Sequence, residues 1–429
     1  MNKTLILCLL LLVGQARGQE YTIERCQELA RSNYPNIRQR ELIEQSRSYS
    51  LENVSRNWLP QLSLSARTTY QTQVTTIPID KSFDGTLENF GVHIPRFQKD
   101  QYQAAVQLNQ LIWDGGQIRA ARKGIEAEAE VQRQQYEVDA YALRSRVNEL
   151  FFAVLLLEAQ VDLNSVMRSE LERCRRDMQT YMDNGVASRS DMELVDVELA
   201  GNDQTQIQLA TAREAYMRML MDFVGEPYDT AAQLVIPAPE AAPAVDHAFA
   251  DRPEMALLDA SAARERIRLK SINARNMPQI GLFIQGVYGR PGPDLLKGDK
   301  FSKYAIGGVQ LSWTFGGLYT RNNERRQIET GIRGVEMQRD ILKFNLRQAS
   351  IRQDSEVEQY RKLLEGDDEI VRLRESIRRA TEARVEHGAR SASDLMHDMN
   401  LEQAARIGRA VHKMQGLKAL YDLKTTNNL

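Results

Sequence analysis

From about Gln117 to Asp183 the chain contains no proline, and its apolar residues step Val147, Leu150, Val154, Leu157, Val161, a 3-4-3-4 spacing. The step returns as Leu171, Cys174, Met178 and Tyr181. This is a coiled-coil seam rather than the broader stripe of an ordinary surface helix. At 1.5 Å per residue the helix reaches about 100 Å, whereas most globular helices have three or four turns. Phe151, Phe152, Leu155 and Leu156 lie off the seam. The helix is therefore expected to have neighbours on more than one side, which a plain two-stranded coiled coil would not provide.

Before this helix the period changes. Thr22 is a candidate N-cap for a first helix over 23–57, interrupted at Asn33-Tyr34-Pro35 and ended by Trp58-Leu59-Pro60. Residues 61–70 then alternate, with Leu62, Leu64, Ala66, Thr68 and Tyr70 on one face, as a strand does. A polar loop covers 71–100. A second alternating run over 102–112 sets Tyr102, Ala104, Val106 and Leu108 against Gln103, Gln107 and Asn109, and closes with Trp113-Asp114-Gly115-Gly116. The long helix ends at Asp183-Asn184-Gly185, and Ser188 or Ser190 caps a return helix over 190–224. Its seam reads Met192, Val195, Leu199, turns polar at Asn202 and Gln206, then resumes with Leu209, Tyr216, Leu220 and Phe223.

After a proline-rich linker over 225–250 the pattern repeats. Met277-Pro278-Gln279-Ile280 parallels Leu59-Pro60-Gln61-Leu62 at a displacement of 218 positions. Strands are predicted at 280–288 and 304–315, and Thr314-Phe315-Gly316-Gly317 parallels Trp113-Asp114-Gly115-Gly116. A long helix over 318–387 and a return helix over 391–424 follow, with Gly388-Ala389-Arg390-Ser391-Ala392-Ser393-Asp394 matching Gly185-Val186-Ala187-Ser188-Arg189-Ser190-Asp191. The first repeat thus covers 19–224, the second 251–424, and 425–429 is a tail. Two copies of helix–strand–strand–helix–helix define the organisation.

Residues 1–18 read as a secretory signal: Lys3, an apolar stretch from Leu5 to Val13, and Ala16-Arg17-Gly18 before a cleavage near Gln19. Cys8 would leave with it, and Cys26 and Cys174 are too few for a disulfide framework, so both are expected to stay reduced. Nothing after residue 18 reads as a transmembrane helix. A net charge of −2 offers nothing to nucleic acid.

Strands of about ten residues with one apolar face fit a tilted crossing of a hydrocarbon layer. Four such strands do not close alone, and open edges in lipid cost several kcal/mol per unpaired group. The smallest common barrels have eight strands. Several chains must therefore share one barrel, with the rods in the periplasm and outer-membrane lipid around the strands. The fold class is a mixed α/β membrane protein.

These residues resemble the TolC-like outer-membrane efflux proteins over nearly the whole mature length. The features that carry the resemblance are the Pro60 and Pro278 junctions, the Gly115-Gly116 and Gly316-Gly317 junctions, and the two Gly-x5-Asp turns. The resemblance implies a homotrimer, a twelve-stranded barrel and a periplasmic tunnel of twelve antiparallel helices with a closable inner end. It further implies work with a periplasmic adaptor (membrane fusion protein) and an inner-membrane transporter of the RND or ABC type. That is an efflux or type I secretion channel; a passive porin or a structural periplasmic coiled coil is the alternative. No catalysis and no cofactor are implied.

The same resemblance singles out the turns as the gate: Gly185, Asp191, Gly388, Arg390, Asp394 and His397. In the family an arginine two residues after the second glycine and an aspartate six after it belong to the lock and an acidic ring. Arg390 and Asp394 match, whereas His397 stands where relatives can carry a second aspartate. Read without the family, Asp191 and Asp394 are acids in a first helical turn, favoured by the dipole. The glycine pairs lack a G-x-G-x-x-G or a Walker lysine and read as permissive backbone. His93, His247, His387, His397 and His412 include no i, i+4 pair, and Met396-His397-Asp398-Met399 is a sequential run that does not converge on one ion, so no metal site is expected.

Overall fold

The computed structural model describes residues 20–74, 97–229, 232–238, 240, 249–294 and 300–429. The expected signal with Cys8, most of the 71–100 loop with His93, and part of the linker with His247 lie outside them. The elements are β1 (Glu20–Tyr21), α1 (Ile23–Asn33), α2 (Ile37–Ser55), β2 (Gln61–Tyr70), β3 (Asp100–Trp113), α3 (Gln117–Asp183), α4 (Arg189–Val224), β4 (Gln233–Leu234), α5 (Pro253–Arg275), β5 (Gln279–Arg290), β6 (Ser302–Ser312), α6 (Gly316–Glu386) and α7 (Ala392–Asn427). They form two compact units.

One unit takes residues up to Glu41, Arg133–Leu258 and Met337–Leu429. Thr22 caps α1 by accepting from Arg25 N at 3.3 Å. The helix breaks between Asn33 and Ile37 because Pro35 offers no N–H and pushes Tyr34 to an extended ψ of 130°. The core gathers Ile23 and Cys26 from α1, Val147, Phe151, Phe152 and Val154 from α3, Leu220 and Met221 from α4, and Met414 and Tyr421 from α7. This cluster explains an 18-residue window in Gln117–Asp183 that is apolar enough by composition to cross a membrane. Phe151 and Val154 inside it are fully buried against protein. Cys174 belongs to a second cluster with Leu171, Met178, Val195 and Met399, so the two cysteines serve different cores and both are free.

Two segments differ from the sequence reading. The 425–429 tail is helical to Asn427. Its last turn is held by buried partners: Thr425 Oγ1 accepts from Asn148 at 3.2 Å, Tyr141 and Arg252 donate to the Thr425 carbonyl, and Asn427 donates to Ser350 at 3.2 Å. The linker over 225–250 contains β4, which pairs in parallel with β1 through Glu20↔Gln233 and Tyr21↔Leu234.

The other unit takes Leu42–Gln132 and Asp259–Glu336. Its antiparallel sheet has the order β2-β3-β5-β6. β2 has the expected bounds, β3 and β5 run longer than the alternation alone marked, to 14 and 12 residues, and β6 starts earlier and stops at Ser312 rather than 315. At the strand-to-helix junctions the two repeats diverge. Gly115 and Gly116 take φ of +67° and +86°, and Asp114 caps α3 by accepting from Gly116 N at 2.8 Å. Gly316 and Gly317 instead open α6, and Gly317 is needed for space, since a Cβ there would lie 2.1 Å from Asn276 Oδ1.

Candidate functional site

Two regions carry the functional reading: the sheet face and the coil ends. In the sheet, β2 and β3 pair Leu62↔Leu108, Leu64↔Val106 and Ala66↔Ala104. The register continues through Leu108↔Ile284 and Ala104↔Tyr288 to Leu282↔Val309 and Ile280↔Leu311. One largely apolar face therefore runs across four strands, interrupted by Gln110 opposite Leu282, and Leu62, Leu64, Val309 and Leu311 on it are each at least 66% exposed in the single chain. The opposite face carries Ser63, Ser65, Gln107, Asn109, Gln285 and Gln310, with Gln107 donating to Asn109 at 2.8 Å. Among the described residues β2 and β6 each have one neighbour and leave an unpaired edge. Aromatic rings mark both ends of the face: Tyr102, Tyr288 and Phe301 at the loop end, Trp313 and Phe315 at the helix end with centroids 4.7 Å apart.

At the coil ends, Gly185 and Gly388 adopt φ of +74° and +68°. Each closes its helix with a left-handed residue, and the next amide reaches back: Val186 N to Tyr181 O and Ala389 N to Arg384 O, both at 2.8 Å. The two turns are neighbours, since a Cβ on Gly388 would sit 3.6 Å from Val186 Cγ1. Asp191 and Asp394 complete capping boxes. Ser188 N and Oγ donate to Asp191 Oδ2 at 2.9 and 2.6 Å, and Ser391 N and Oγ donate to Asp394 Oδ2 at 3.1 and 2.9 Å. These bonds from Ser391, with Arg390 beside it, hold the Asp394 carboxyl below its usual range. Within the chain Arg390 Nη1 lies 3.4 Å from Asp394 Oδ1 rather than reaching another coil. His397 is exposed, Met396 and Met399 are buried, and Asp398 accepts from Thr381 at 2.7 Å, so this run points in different directions.

The seams above the turns hold pairings that the sequence reading did not assign. In the α3–α4 coil the anticipated polar step is a buried amide layer: Asn202 donates to Asn164 Oδ1 and Asn164 to Gln206 Oε1, both at 2.8 Å. In the α6–α7 coil Arg378 Nε donates to Glu402 at 2.6 Å with both side chains under 9% exposed. Higher up, His412 Nδ1 and Asp367 Oδ2 lie 2.8 Å apart. Aligning the coils at the offset of their glycines would have exposed them: Asp398, Glu402 and His412 stand where Val195, Leu199 and Leu209 stand in the first coil.

Residues 27–226 match the family model described as outer membrane efflux protein. No curated protein matches the sequence. Among solved structures the fold is similar to that of the outer-membrane channel OprN, with a TM-score of 0.69 and 14% identity over 94% of this chain and 89% of that one. It is similar to the outer membrane protein VceC of Vibrio cholerae, at 0.65 and 12% over 94% and 95%. It is also similar to the MtrE outer membrane channel of Neisseria gonorrhoeae in its open state, at 0.64 and 15% over 94% and 88%. At such identities these likenesses speak for the fold, which covers the second repeat that the family match leaves out. The sheet, the repeated coils and the family match over residues 27–226 agree on the fold of the outer membrane efflux proteins, with the strands in the outer membrane and the helices in the periplasm.

Proposed function

We propose that three copies of this chain close one twelve-stranded barrel and form the outer-membrane channel of a tripartite efflux or type I secretion system. The observation that carries the reading is the apolar face that crosses all four strands while β2 and β6 keep unpaired edges. In lipid an open edge costs several kcal/mol per unpaired group, so each β6 must meet a β2 of another copy. A second observation favours assembly: Met337, Ile341, Phe344 and Ile351 of α6, spaced 4-3-7, are exposed in the single chain. Substrates would pass from a periplasmic adaptor and inner-membrane transporter through the helical tunnel to the outside, with no bond made or broken. The related structures are outer-membrane channels, which supports the conduit; a passive porin has no use for helices of 67 and 71 residues.

We place the gate at the turns. Gly185 and Gly388 shape them, Asp191 and Asp394 cap the return helices, and Arg390 sits where a copy of the chain would present it near a threefold axis, with His397 one turn beyond Asp394. Three Asp394 carboxylates converging on one axis attract cations, so Asp394→Ala should relieve block by trivalent cations. The function itself is tested by deletion. Efflux of a dye or drug should fall while the envelope still excludes large hydrophilic probes, and return with the intact gene. Unchanged efflux, or loss of envelope integrity alone, would favour the porin or spacer reading.

A further inference from the structure

Where β3, β5 and β6 meet the loop end of the sheet, the apolar face does not finish on rings alone. Arg290 and Lys303 lie in register with Tyr102 and Tyr288 and so project from the face that carries Ile284 and Val309. The Arg290 guanidinium lies 5.1 Å from the Tyr102 ring centre and 5.6 Å from that of Phe301, and Lys303 Nζ lies 6.0 Å from that of Tyr288. Asp100 pairs with Arg290, yet Arg290 Nε is buried with no hydrogen-bond partner among the described residues. Lys303 is exposed, and Lys99 and Lys300, next to Asp100 and Phe301 in sequence, are exposed as well.

Cations on a face that contacts hydrocarbon carry a desolvation cost that an interfacial anion offsets. We propose that this corner is a binding site for the phosphate of an outer-leaflet lipid, a phosphorylated lipid A headgroup. Arg290 and Lys303 donate to the phosphate, and the acyl chains lie along Tyr288, Ile284 and Val106. A free phosphate would not choose this place, because the donors share their face with apolar side chains that only a lipid covers. Basic residues near a membrane surface each contribute about 1 kcal/mol toward anionic lipid, close to fivefold in affinity. The inference rests on the apolar sheet face being the lipid-facing one.

The test uses the full-length protein in detergent, with lipid adducts counted by native mass spectrometry. The probes are phosphorylated lipid A, the same lipid with its phosphates removed, and inorganic phosphate as competitor. The site predicts selective retention of the phosphorylated lipid, no displacement by millimolar phosphate, and about fivefold weaker retention in Lys303→Gln and again in Arg290→Gln. Arg290→Gln also strands Asp100, so Lys303→Gln, which breaks no ion pair among the described residues, decides if the first fails to fold. Equal retention of the two lipids, displacement by phosphate, or parent-like retention in a folded Lys303→Gln overturns the proposal. A protein that does so while still conducting in bilayers loses this site and keeps its channel.

Discussion

The α3–α4 coil and the α6–α7 coil share one pattern of turn, cap and seam, but their interiors differ. Near the turn the first coil packs Met178 and Val195, both essentially inaccessible, with Leu199 beside them, in a cluster that Val385, Leu395 and Met399 of the second coil also enter. At the matching depth the second coil sets Thr381 against Asp398 and Arg378 against Glu402. Further up, the first coil has an amide layer at Asn164 and Asn202, and the second has the ionisable pair Asp367 and His412. Apolar layers stabilise by burial and tolerate sliding. Buried polar layers add little stability but penalise every register except the one that pairs them. The difference suggests a division of labour, in which the first coil supports and the second is set in one arrangement that a discrete event can undo.

The largest effect should come from splitting the buried ion pair. Glu402→Ala leaves the buried Arg378 with Glu382 as its remaining partner and takes from Arg406 its bond to Glu402, which costs up to about 3–5 kcal/mol. Installing Leu at 402 together with Met at 378 makes the second seam resemble the first, and should be neutral or stabilising by about 1–4 kcal/mol. Denaturant unfolding followed by helical circular dichroism compares them; equal losses in the two variants would contradict the contrast between the coils.

A smaller effect is expected in the first coil. Asn202→Ala takes from the buried Asn164 Oδ1 its donor while Asn164 keeps its bond to Gln206, at a cost of about 1–3 kcal/mol, and Leu at both positions should be nearly neutral. The same unfolding measurement applies. A loss from Asn202→Ala that matches Glu402→Ala would erase the proposed asymmetry.

The smallest effect concerns the cap of α7. Asp394 has a lowered carboxyl pKa, so its contribution is present at neutral pH, above the ordinary aspartate value of about 3.9, and is lost as pH falls through the lowered folded value. Amide exchange in the first turn of α7, corrected for intrinsic rates, should therefore quicken only below about pH 4. In Asp394→Asn this pH dependence should vanish. A first turn that loosens between pH 7 and 5 would point to another group.

Much of this architecture was legible because it repeats a local pattern. Alternation over 61–70, the 3-4 seam of α3 and the prolines at 60 and 278 each report a backbone state that neighbours in sequence decide. The turn residues were legible in kind as well: Ser188 with Asp191 and Ser391 with Asp394 are capping boxes spelled out within four positions. What escaped depends on partners far along the chain. The helical state of 425–427 is held by Asn148, Tyr141 and Arg252, none of them within 170 residues. The Arg378–Glu402 pair reads as two surface charges until the facing helix is in place. Gly316-Gly317 copied the letters of Gly115-Gly116 but not their φ: at Gly317 the close approach of Asn276 rather than a left-handed turn disfavours a Cβ, and Gly316 faces open space.

The two turns differ at one telling position: Arg390 stands where the first turn has Ala187, and the first turn's own arginine, Arg189, makes its ion pair with Glu193 at 3.0 Å. Single-channel conductance in planar bilayers, recorded for the parent protein, Arg390→Ala and Arg189→Ala, tests the gate most directly. The account predicts a folded channel of raised conductance for Arg390→Ala and parent-like conductance for Arg189→Ala. Parent-like conductance in Arg390→Ala, or an equal rise in both variants, would contradict a gate seated in the second-repeat turn.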